Sequence, residues 1–283
     1  MHLAGIIPVA GQPLNFNMPW HDCLMPISCD YLAIERAVVE CAYAGCETIW
    51  IVCNDDMQPL IRYRLGEYVQ DPVWVLRPFT YNKGEHKKPI PIYYVPVHPK
   101  DRNKRDCLSW SVLYGATTAK RVSSALSKWT MTKQYYVSFP YGVYEPNILR
   151  DHRKDISSPR PFFLSYNNKN ITHGEYLGFT FNNEVCGELL QQVRQKSTGL
   201  YRDLDRKEKL SIDERFSYRF FSLKDVFGDL NLDTSKACEL PSYHNIDNWQ
   251  GYCSYLGTSD LQIHRPGRSI LNYKEWSGMS VDD

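Results

Sequence analysis

Acidic side chains at two places in the sequence could bind a cation or the hydroxyl groups of a ligand. Asp55 and Asp56 directly follow a buried apolar run, and Asp247 lies in a polar segment near the end of the chain. Carboxylates that follow a buried parallel strand often face a ligand, because ligands bind at the carboxyl ends of such strands. Each position also has a structural interpretation, since an acidic residue before a helix can cap that helix. The residue types leave both interpretations open.

A second group of residues could bind an anion such as a phosphate. Gly11 follows the first apolar run, where a backbone N–H can approach a phosphate, although a simple turn would also need a glycine. Basic side chains cluster at 83–88 and at 100–105, where they could neutralise a phosphorylated ligand or form a solvated surface. His21 and Asp22 could form an acid–base pair, but adjacent residues rarely face each other. No catalytic residue is identified by these patterns.

Length, composition and charge exclude several classes of protein. The 283 residues are 43% hydrophobic and 23% charged, which excludes a disordered chain and is enough for one large domain. Lysine and arginine (33) balance aspartate and glutamate (32), so the net charge of +1 does not indicate nucleic acid binding. No apolar run approaches the roughly 18 residues of a membrane-spanning helix. The nine cysteines include no C-x-x-C pair, so we expect reduced structural thiols and a cytoplasmic protein.

The first part of the chain alternates between strand and helix patterns. Apolar runs at 3–9 and 48–53 predict buried parallel strands. Between them, an amphipathic pattern predicts a helix over 30–44, with Asp30 as its N-cap and Gly45 as its C-terminal stop. Two strands joined by a crossover helix of this length are expected to lie parallel in one sheet.

The alternation continues through the first half of the chain. Further strands are predicted at 92–95 and 135–139, separated by a helix over 106–126. We therefore predict an α/β fold with a Rossmann-like, doubly wound and mostly parallel sheet in residues 1–150. Ligands of such sheets bind at the carboxyl ends of the strands, near the switch in strand order.

The second half of the chain has a different pattern. Residues 151–283 are predicted to form a β-rich C-terminal portion and a tail, and to belong with the first half to one continuous globular domain. A stretch of alternating apolar residues predicts a strand over 175–181. Ser222 and Asp225 have the spacing of a capping box, which predicts a short helix there.

The order of these segments, more than any single motif, resembles the sugar-phosphate nucleotidyltransferases, the pyrophosphorylase-type enzymes that make nucleotide-sugars. The stretches that carry the resemblance are Ile6–Gly11, Leu24–Ile27, Ala33–Val52, Glu175–Phe179 and Tyr243–Tyr252. In order, they resemble the first strand with its glycine loop, a Pro-Ile turn, a helix followed by a strand, a sugar-site strand and the closing segment.

The resemblance implies a fold of the nucleotidyltransferase (GT-A) type, with a nucleotide-binding half in 1–150 and a sugar-binding half in 151–283. It implies that a sugar phosphate attacks the α-phosphate of a nucleoside triphosphate and that pyrophosphate leaves, with Mg²⁺ held by carboxylates. Together with the strand-end argument, it predicts Asp247 as a metal ligand and five positions that bind the nucleotide or sugar phosphate. These five are Gly11, Asp55, Tyr141, Glu175 and Gly178.

The sequence departs from the family pattern at positions where the family has charged residues that bind phosphate or metal. The segment 11–23 contains one glycine and neither arginine nor lysine, and the family lysine falls on Asp22. The metal-binding aspartate that the resemblance implies after the strand at 135–139 falls in the segment 139–142, where Tyr141 is its nearest equivalent. Because an acid at the lysine position would repel phosphate, we expect weak nucleotidyl transfer.

Two functions therefore remain open from the sequence. One is a divergent, catalytically weakened nucleotidyltransferase that uses Asp247 with Mg²⁺, with Asp55 or Asp56 as a second candidate carboxylate. The other is a protein of the same fold that has lost the chemistry and acts as a binding, regulatory or assembly component with a protein partner. A glycosyltransferase of the related fold would need an Asp-x-Asp pair after a central strand, which residues 139–142 lack.

Overall fold

A mostly parallel β-sheet dominates the computed structural model of this chain. The structure describes residues 2–11, 21–76, 88–102, 105, 107–126, 131–199, 221–232, 235–258 and 263–271. The strands are β1 (His2–Pro8), β2 (Pro26–Ser28), β3 (Tyr31–Leu32), β4 (Thr48–Cys53), β5 (Tyr68–Gln70), β6 (Pro89–Pro96), β7 (Thr132–Val137), β8 (Gly142–Val143), β9 (Phe162–Ser165), β10 (Phe179–Asn182), β11 (Lys236–Glu239) and β12 (His244–Asn245). The helices are α1 (Ala33–Ala44), α2 (Gln58–Leu65), α3 (Pro72–Val75), α4 (Pro99–Arg102), α5 (Leu108–Leu126), α6 (Leu149–Ile156), α7 (Asn183–Gly199), α8 (Leu223–Phe227) and α9 (Trp249–Leu256).

The main sheet has eight strands within the described residues, in the order β11-β9-β10-β7-β1-β4-β6-β5. β5 and β10 run antiparallel to their neighbours, and the other six strands point the same way. β1 lies in the middle, with Ile6 paired to Trp50 of β4 on one side and to Val137 of β7 on the other. The predicted α/β class with a mostly parallel sheet is therefore confirmed, and the β-rich C-terminal portion adds β9, β10 and β11 to that sheet.

Helices cover both faces of the sheet and bury its apolar side chains. On one face, α1 buries the stripe that its sequence predicts, since Ile34, Ala37, Val38 and Cys41 are all fully buried. On the other face, α5 buries a second stripe that includes Val112. Because side chains of a strand alternate between the two faces, each buried strand contributes to both clusters, and this explains its continuous apolar run.

The two ends of α1 differ in how well they were predicted. Asp30 does not cap the helix, because a φ of +54° places it in a turn, where its Oδ1 accepts a hydrogen bond from Arg64 Nη2 at 2.8 Å. Glu35 instead accepts the Leu32 N–H, at 2.9 Å, at the start of the helix. At the other end, Gly45 adopts the left-handed conformation with a φ of 87°, as predicted.

The strand predicted over 175–181 is shorter in the structure. β10 begins at Phe179, because the chain turns at Glu175, whose carbonyl accepts the Leu177 N–H at 2.9 Å. The alternating apolar side chains before Phe179 therefore come from a tight turn and not from a strand.

The remaining predicted elements agree with the structure apart from their ends. β4 has the predicted bounds, whereas β7 ends at Val137, before the predicted end of its strand. Asp106, the first residue of the predicted helix 106–126, lies outside the described residues, and α5 begins at Leu108. In the described part of the chain, no helix is both long enough and apolar enough to cross a membrane.

Candidate functional site

A cavity of about 690 Å³ lies at the edge of the sheet where the parallel strands end. Its wall combines the turn after β1, the N-terminus of α5, the turn before β10, α8 and the segment after β12. The lining residues are Gly11, Cys107, Leu108, His173, Gly174, Tyr176, Phe221, Ser222, Leu223, Lys224, Asp225 and Asp247. Two of the predicted site residues, Gly11 and Asp247, therefore meet in one cavity.

Gly11 is held at the cavity wall by a close contact with α5. Its φ is +83°, and a Cβ at this position would lie 2.5 Å from the backbone nitrogen of Cys107. Ser111 Oγ donates a hydrogen bond to the carbonyl of Ala10 at 2.8 Å and fixes the same turn. α5 begins at Leu108, so the positive end of this 19-residue helix lies at the cavity wall beside Gly11. The turn needs a glycine for backbone reasons, whatever ligand the cavity binds.

Asp247 presents a carboxylate to the cavity. Its Oδ1 accepts a hydrogen bond from Asn248 Nδ2 at 2.6 Å, and its own N–H donates to Asn245 Oδ1 at 2.9 Å. Asn248, not Asp247, is the N-cap of α9, because its Oδ1 accepts the Gly251 N–H at 2.8 Å. No described residue donates a hydrogen bond to the second oxygen, Oδ2, so this oxygen is available to a ligand.

Tyr141 lies next to the Asp247 segment but is closed off from solvent. The Ile246 N–H donates to the Tyr141 carbonyl at 2.9 Å, beside the antiparallel pair formed by β8 and β12. The ring is fully buried and packs edge-on against Tyr176, with 5.5 Å between the ring centroids. Its hydroxyl has no hydrogen-bond partner among the described residues. Burial raises the pKa of Tyr141 well above its ordinary value, so the phenol stays neutral.

Asp22, at the position of the family lysine, lies in a short 3-10 helix near this region. Its carboxyl is half-buried, and burial raises its pKa to about 6. Burial is the main cause of the raised pKa of Tyr141, and the negative charge of Asp22 is one of the smaller causes. The two side chains therefore lie close enough to interact electrostatically. Burial also lowers the pKa of the neighbouring His21, and Asp56 opposes that shift. A partly buried acid therefore occupies the position for which the resemblance implies a lysine.

The segment that carries Tyr141 is held by a buried ion pair in α1. Arg36 Nη1 and Glu40 Oε2 are 2.9 Å apart, and both side chains are fully buried. Arg36 Nη2 also donates to the Phe139 carbonyl. Glu40 accepts hydrogen bonds from three hydroxyl groups of β7 and the chain that follows it, those of Tyr136, Ser138 and Tyr144. This buried pair therefore fixes the β7–β8 connection on both sides of Tyr141.

Asp55 and the described basic residues nearby lie outside the lining of the cavity. Asp55 Oδ2 is 2.8 Å from Arg102 Nη2, and Arg105 pairs with Asp101 at 3.1 Å. Arg102 and Arg105 of the 100–105 cluster therefore form ion pairs with aspartates, and neither arginine lines the cavity. In the other basic cluster, residues 83–87 lie outside the described residues.

Glu175 and Gly178 take part in packing next to the cavity. Glu175 Oε2 accepts a hydrogen bond from the Tyr243 hydroxyl at 3.2 Å, and the same hydroxyl accepts the Tyr176 N–H at 3.1 Å. A Cβ at Gly178 would collide with the Tyr136 hydroxyl, so this glycine allows the close approach of β7. Neither residue belongs to the lining itself.

Several residues that the sequence did not single out complete the wall. His173 and Lys224 come from segments far apart in the chain, and they meet because α8 packs against the 3-10 helix that ends at His173. α8 begins with the predicted capping box, in which Ser222 Oγ accepts the Asp225 N–H at 3.1 Å and Asp225 Oδ2 accepts the Ser222 N–H at 2.9 Å. The sequence pattern predicts this cap, but nothing in it indicates that the cap lies at a cavity.

The fold can be compared with those of solved structures. The chain aligns with a Bacillus anthracis protein assigned as a glucose-1-phosphate thymidylyltransferase and solved in complex with sucrose. The TM-score is 0.53 and the identity 10%, over 93% of this chain and 98% of that chain. The chain has a nucleotidyltransferase fold. A UDP-glucose pyrophosphorylase complexed with UDP-glucose aligns at a TM-score of 0.49 and 14% identity, over 90% of this chain and 97% of that chain. No family model matches the chain, and no curated protein matches it.

The resemblance behind this nucleotidyltransferase fold implies Mg²⁺ at Asp247, and the residues present can be tested against it. Mg²⁺ prefers octahedral coordination by oxygen, with one or two carboxylates among its ligands. Within the described residues, no three side chains of histidine, cysteine, aspartate or glutamate come together in a way that could hold a metal ion. The position that the resemblance reserves for a second carboxylate holds the buried phenol of Tyr141. Position 141 therefore does not supply the second carboxylate that the resemblance implies, and the carboxylates in the described lining are those of Asp225 and Asp247.

Proposed function

We propose that this protein binds a nucleotide or a sugar phosphate in the cavity at the strand ends and has weak or no nucleotidyl transfer activity. One observation carries the proposal. Asp22, a half-buried acid, and Tyr141, a neutral phenol, occupy the two positions where the resemblance implies a lysine and a metal-binding aspartate. The two residues are within electrostatic reach of each other, so both changes affect one region of the site.

The charges around the cavity support weak transfer activity. Nucleotidyl transfer depends on preorganised positive charge around a crowded polyanion. The described lining of the cavity contains one lysine, Lys224, and two acidic residues, Asp225 and Asp247. Loss of a single preorganised contact commonly lowers the rate by about 10²–10³, and here two charged anchors are replaced. The barrier to transfer from a nucleoside triphosphate is therefore expected to be high.

Other features of the same cavity support ligand binding. Its volume of about 690 Å³ lies in the range of small-molecule sites. The N-terminal end of α5 favours an anion, and Lys224 adds a positive charge. Asp247 Oδ2 can accept a hydrogen bond from a ligand hydroxyl. A phosphorylated sugar or a nucleotide carries both kinds of group.

A weakened nucleotidyltransferase is the second candidate function. The observation in its favour is Asp247, which lines the cavity and has one carboxylate oxygen, Oδ2, to which no described residue donates a hydrogen bond. The two candidates differ in turnover, because only the enzyme releases pyrophosphate. Ligand binding itself is common to both.

Ligand binding is tested by thermal shift with a panel of nucleoside triphosphates, nucleotide-sugars and sugar 1-phosphates, each with and without Mg²⁺. A ligand at about 100 times its Kd stabilises the folded state by about 2.7 kcal/mol. For a chain of this length, we expect the Tm to rise by about 5 °C with at least one of these ligands. Titration calorimetry then gives the Kd of each ligand that raises the Tm.

The variant Asp247→Ala is expected to weaken binding of that ligand at least tenfold. The matched control is Asp55→Ala, which removes an aspartate outside the lining and should leave the Kd unchanged. If no member of the panel raises the Tm, or if Asp55→Ala weakens binding as much as Asp247→Ala does, the cavity is not the binding site we propose.

A further inference from the structure

We infer that Lys224 binds the phosphate group of the ligand, and that the ligand is a phosphate monoester that also carries hydroxyl groups. This inference rests on the proposed function for the existence of a ligand in the cavity. It goes beyond that function by naming the residue that selects the ligand and by favouring a sugar monophosphate over a nucleoside triphosphate.

The start of α8 fixes the position of Lys224 at the cavity. The capping box formed by Ser222 and Asp225 holds the first turn of this helix, and Leu223 is buried beneath it. Lys224 is exposed on the same turn and lines the cavity. A Cβ at Gly174 would lie 3.7 Å from Lys224 Cβ, so the opposite wall touches the base of the lysine side chain. The side chain of Lys224 therefore starts from a fixed point of the wall.

The ammonium group of Lys224 is available to a ligand. In the described part of the chain, no residue accepts a hydrogen bond from it or forms an ion pair with it. The other cations near the cavity are engaged, since Arg102 and Arg105 pair with aspartates. Lys196 of α7 donates to the carbonyl of Asp225 at 3.2 Å. An ammonium group without a partner can donate charge-assisted hydrogen bonds to phosphate oxygens.

The glycine loop after β1 supplies no cation of its own. The segment 11–23 contains neither arginine nor lysine, so this loop can approach a phosphate only with backbone and uncharged or acidic groups, apart from His21. Gly11 and Lys224 line the same cavity. The positive charge that the resemblance implies on the loop is therefore supplied in this chain from α8.

The two acids of the described lining limit the charge of the ligand. Hydrogen bonds from Ser222 lower the pKa of Asp225, so its carboxylate stays ionised beside Lys224. Asp247 adds a second negative charge, and its Oδ2 can accept a hydrogen bond from a ligand hydroxyl. One ammonium group can neutralise a single phosphate group, whereas the two carboxylates repel the further charges of a triphosphate.

The test uses inorganic phosphate as its first probe and measures binding by phosphorus nuclear magnetic resonance. Lys224→Met removes the charge but keeps a long side chain, and it should weaken phosphate binding about tenfold. Lys224→Arg should retain most of the binding. The matched control is Lys236→Met, which removes an exposed lysine outside the lining and should leave the Kd unchanged. Thermal unfolding shows whether each variant is folded.

The second readout compares a sugar 1-phosphate of the panel with its parent sugar. In Lys224→Met, the preference for the phosphorylated ligand should fall about tenfold, because only that ligand loses a contact. A disturbance of the cavity wall would weaken the binding of both ligands alike. The wild-type protein should also bind sugar 1-phosphates more tightly than nucleoside triphosphates, both in Mg²⁺ and in EDTA.

Three results would overturn the inference. They are a folded Lys224→Met with unchanged phosphate binding or unchanged preference, an equal loss in Lys236→Met, and tighter binding of nucleoside triphosphates than of sugar 1-phosphates. If no ligand of the panel binds, the proposed function fails, and the phosphate titration alone decides the role of Lys224. In that titration, the absence of saturable phosphate binding by the wild-type protein also overturns the inference.

Discussion

The two sides of the β7–β8 connection differ in how their buried polar groups are paired. On the α1 side, Arg36 and Glu40 are fully buried, and both make hydrogen bonds to the connection itself, whereas Arg36 Nε has no partner among the described residues. On the cavity side, the buried Tyr141 hydroxyl has no partner among the described residues, and burial raises the pKa of Asp22 to about 6. A buried polar group without a partner destabilises the fold. The difference indicates that the α1 side ties the connection to the fold, whereas the polar groups on the cavity side contribute less to its stability.

The largest expected effect comes from breaking the paired side with Arg36→Met. This change leaves the buried Glu40 carboxylate without its cation, and loss of one partner of a buried ion pair costs about 3–5 kcal/mol. Urea denaturation should show this loss in the free energy of unfolding. The matched control is Arg62→Met, which breaks an exposed pair with Glu67 and should cost less than about 1 kcal/mol. Equal losses for the two variants would show that burial of the Arg36 pair does not matter.

A smaller loss is expected for Gly11→Ala at the cavity wall. Alanine in the left-handed region costs about 1–2 kcal/mol, and the contact of its Cβ with Cys107 adds about 1–3 kcal/mol of overpacking. The control Gly45→Ala has a similar φ of +87°, but the nearest atom to its Cβ, on Arg153, is 3.5 Å away. We expect Gly11→Ala to be the more destabilising of the two in urea denaturation. The reverse order would contradict the close approach of α5.

The smallest expected effect is a gain of stability on the cavity side. In the folded protein, the pKa of Asp22 is raised from 3.8 to about 6, so its ionisation increasingly disfavours folding between these two pH values and by a constant amount above pH 6. Asp22→Asn should therefore match the wild type near pH 4, gain stability relative to it up to pH 6 and keep that gain above pH 6. The gain at pH 7.5 should be about 1 kcal/mol, because solvent screens a half-buried group. A set of Tm measurements from pH 4 to 8 checks this, and a gain that is independent of pH would contradict it.

The sequence predicts the elements in which burial alone decides the structure. β1 and β4 lie inside a parallel sheet and are buried on both faces, so they read as continuous apolar runs. The α1 stripe and the turn at Gly45 follow from helix periodicity and from the conformation of glycine. In these segments, the local pattern and the tertiary environment impose the same structure.

The sequence does not predict features that depend on contacts between distant segments. Arg36 and Glu40 have the spacing of an exposed helical ion pair, yet they are buried, because hydroxyl groups about 100 positions later satisfy the carboxylate. The segment before Phe179 has the alternation of a strand, although the Leu177 N–H bonds to the Glu175 carbonyl in a tight turn. His173 and Lys224 reach the cavity only through the packing of α8. Such positions follow from the tertiary fold and leave no periodic signal.

Pyrophosphate release is the most direct test of the claim that this nucleotidyltransferase fold lacks efficient transfer chemistry. The purified chain is incubated with Mg²⁺, each common nucleoside triphosphate and a set of sugar 1-phosphates, and pyrophosphate is measured after conversion to phosphate. We predict no release above that of a heat-denatured sample, because Asp22 and Tyr141 stand where the resemblance implies a lysine and a metal-binding aspartate. Release that is proportional to protein concentration, abolished by Asp247→Ala and retained by Asp55→Ala would contradict the account.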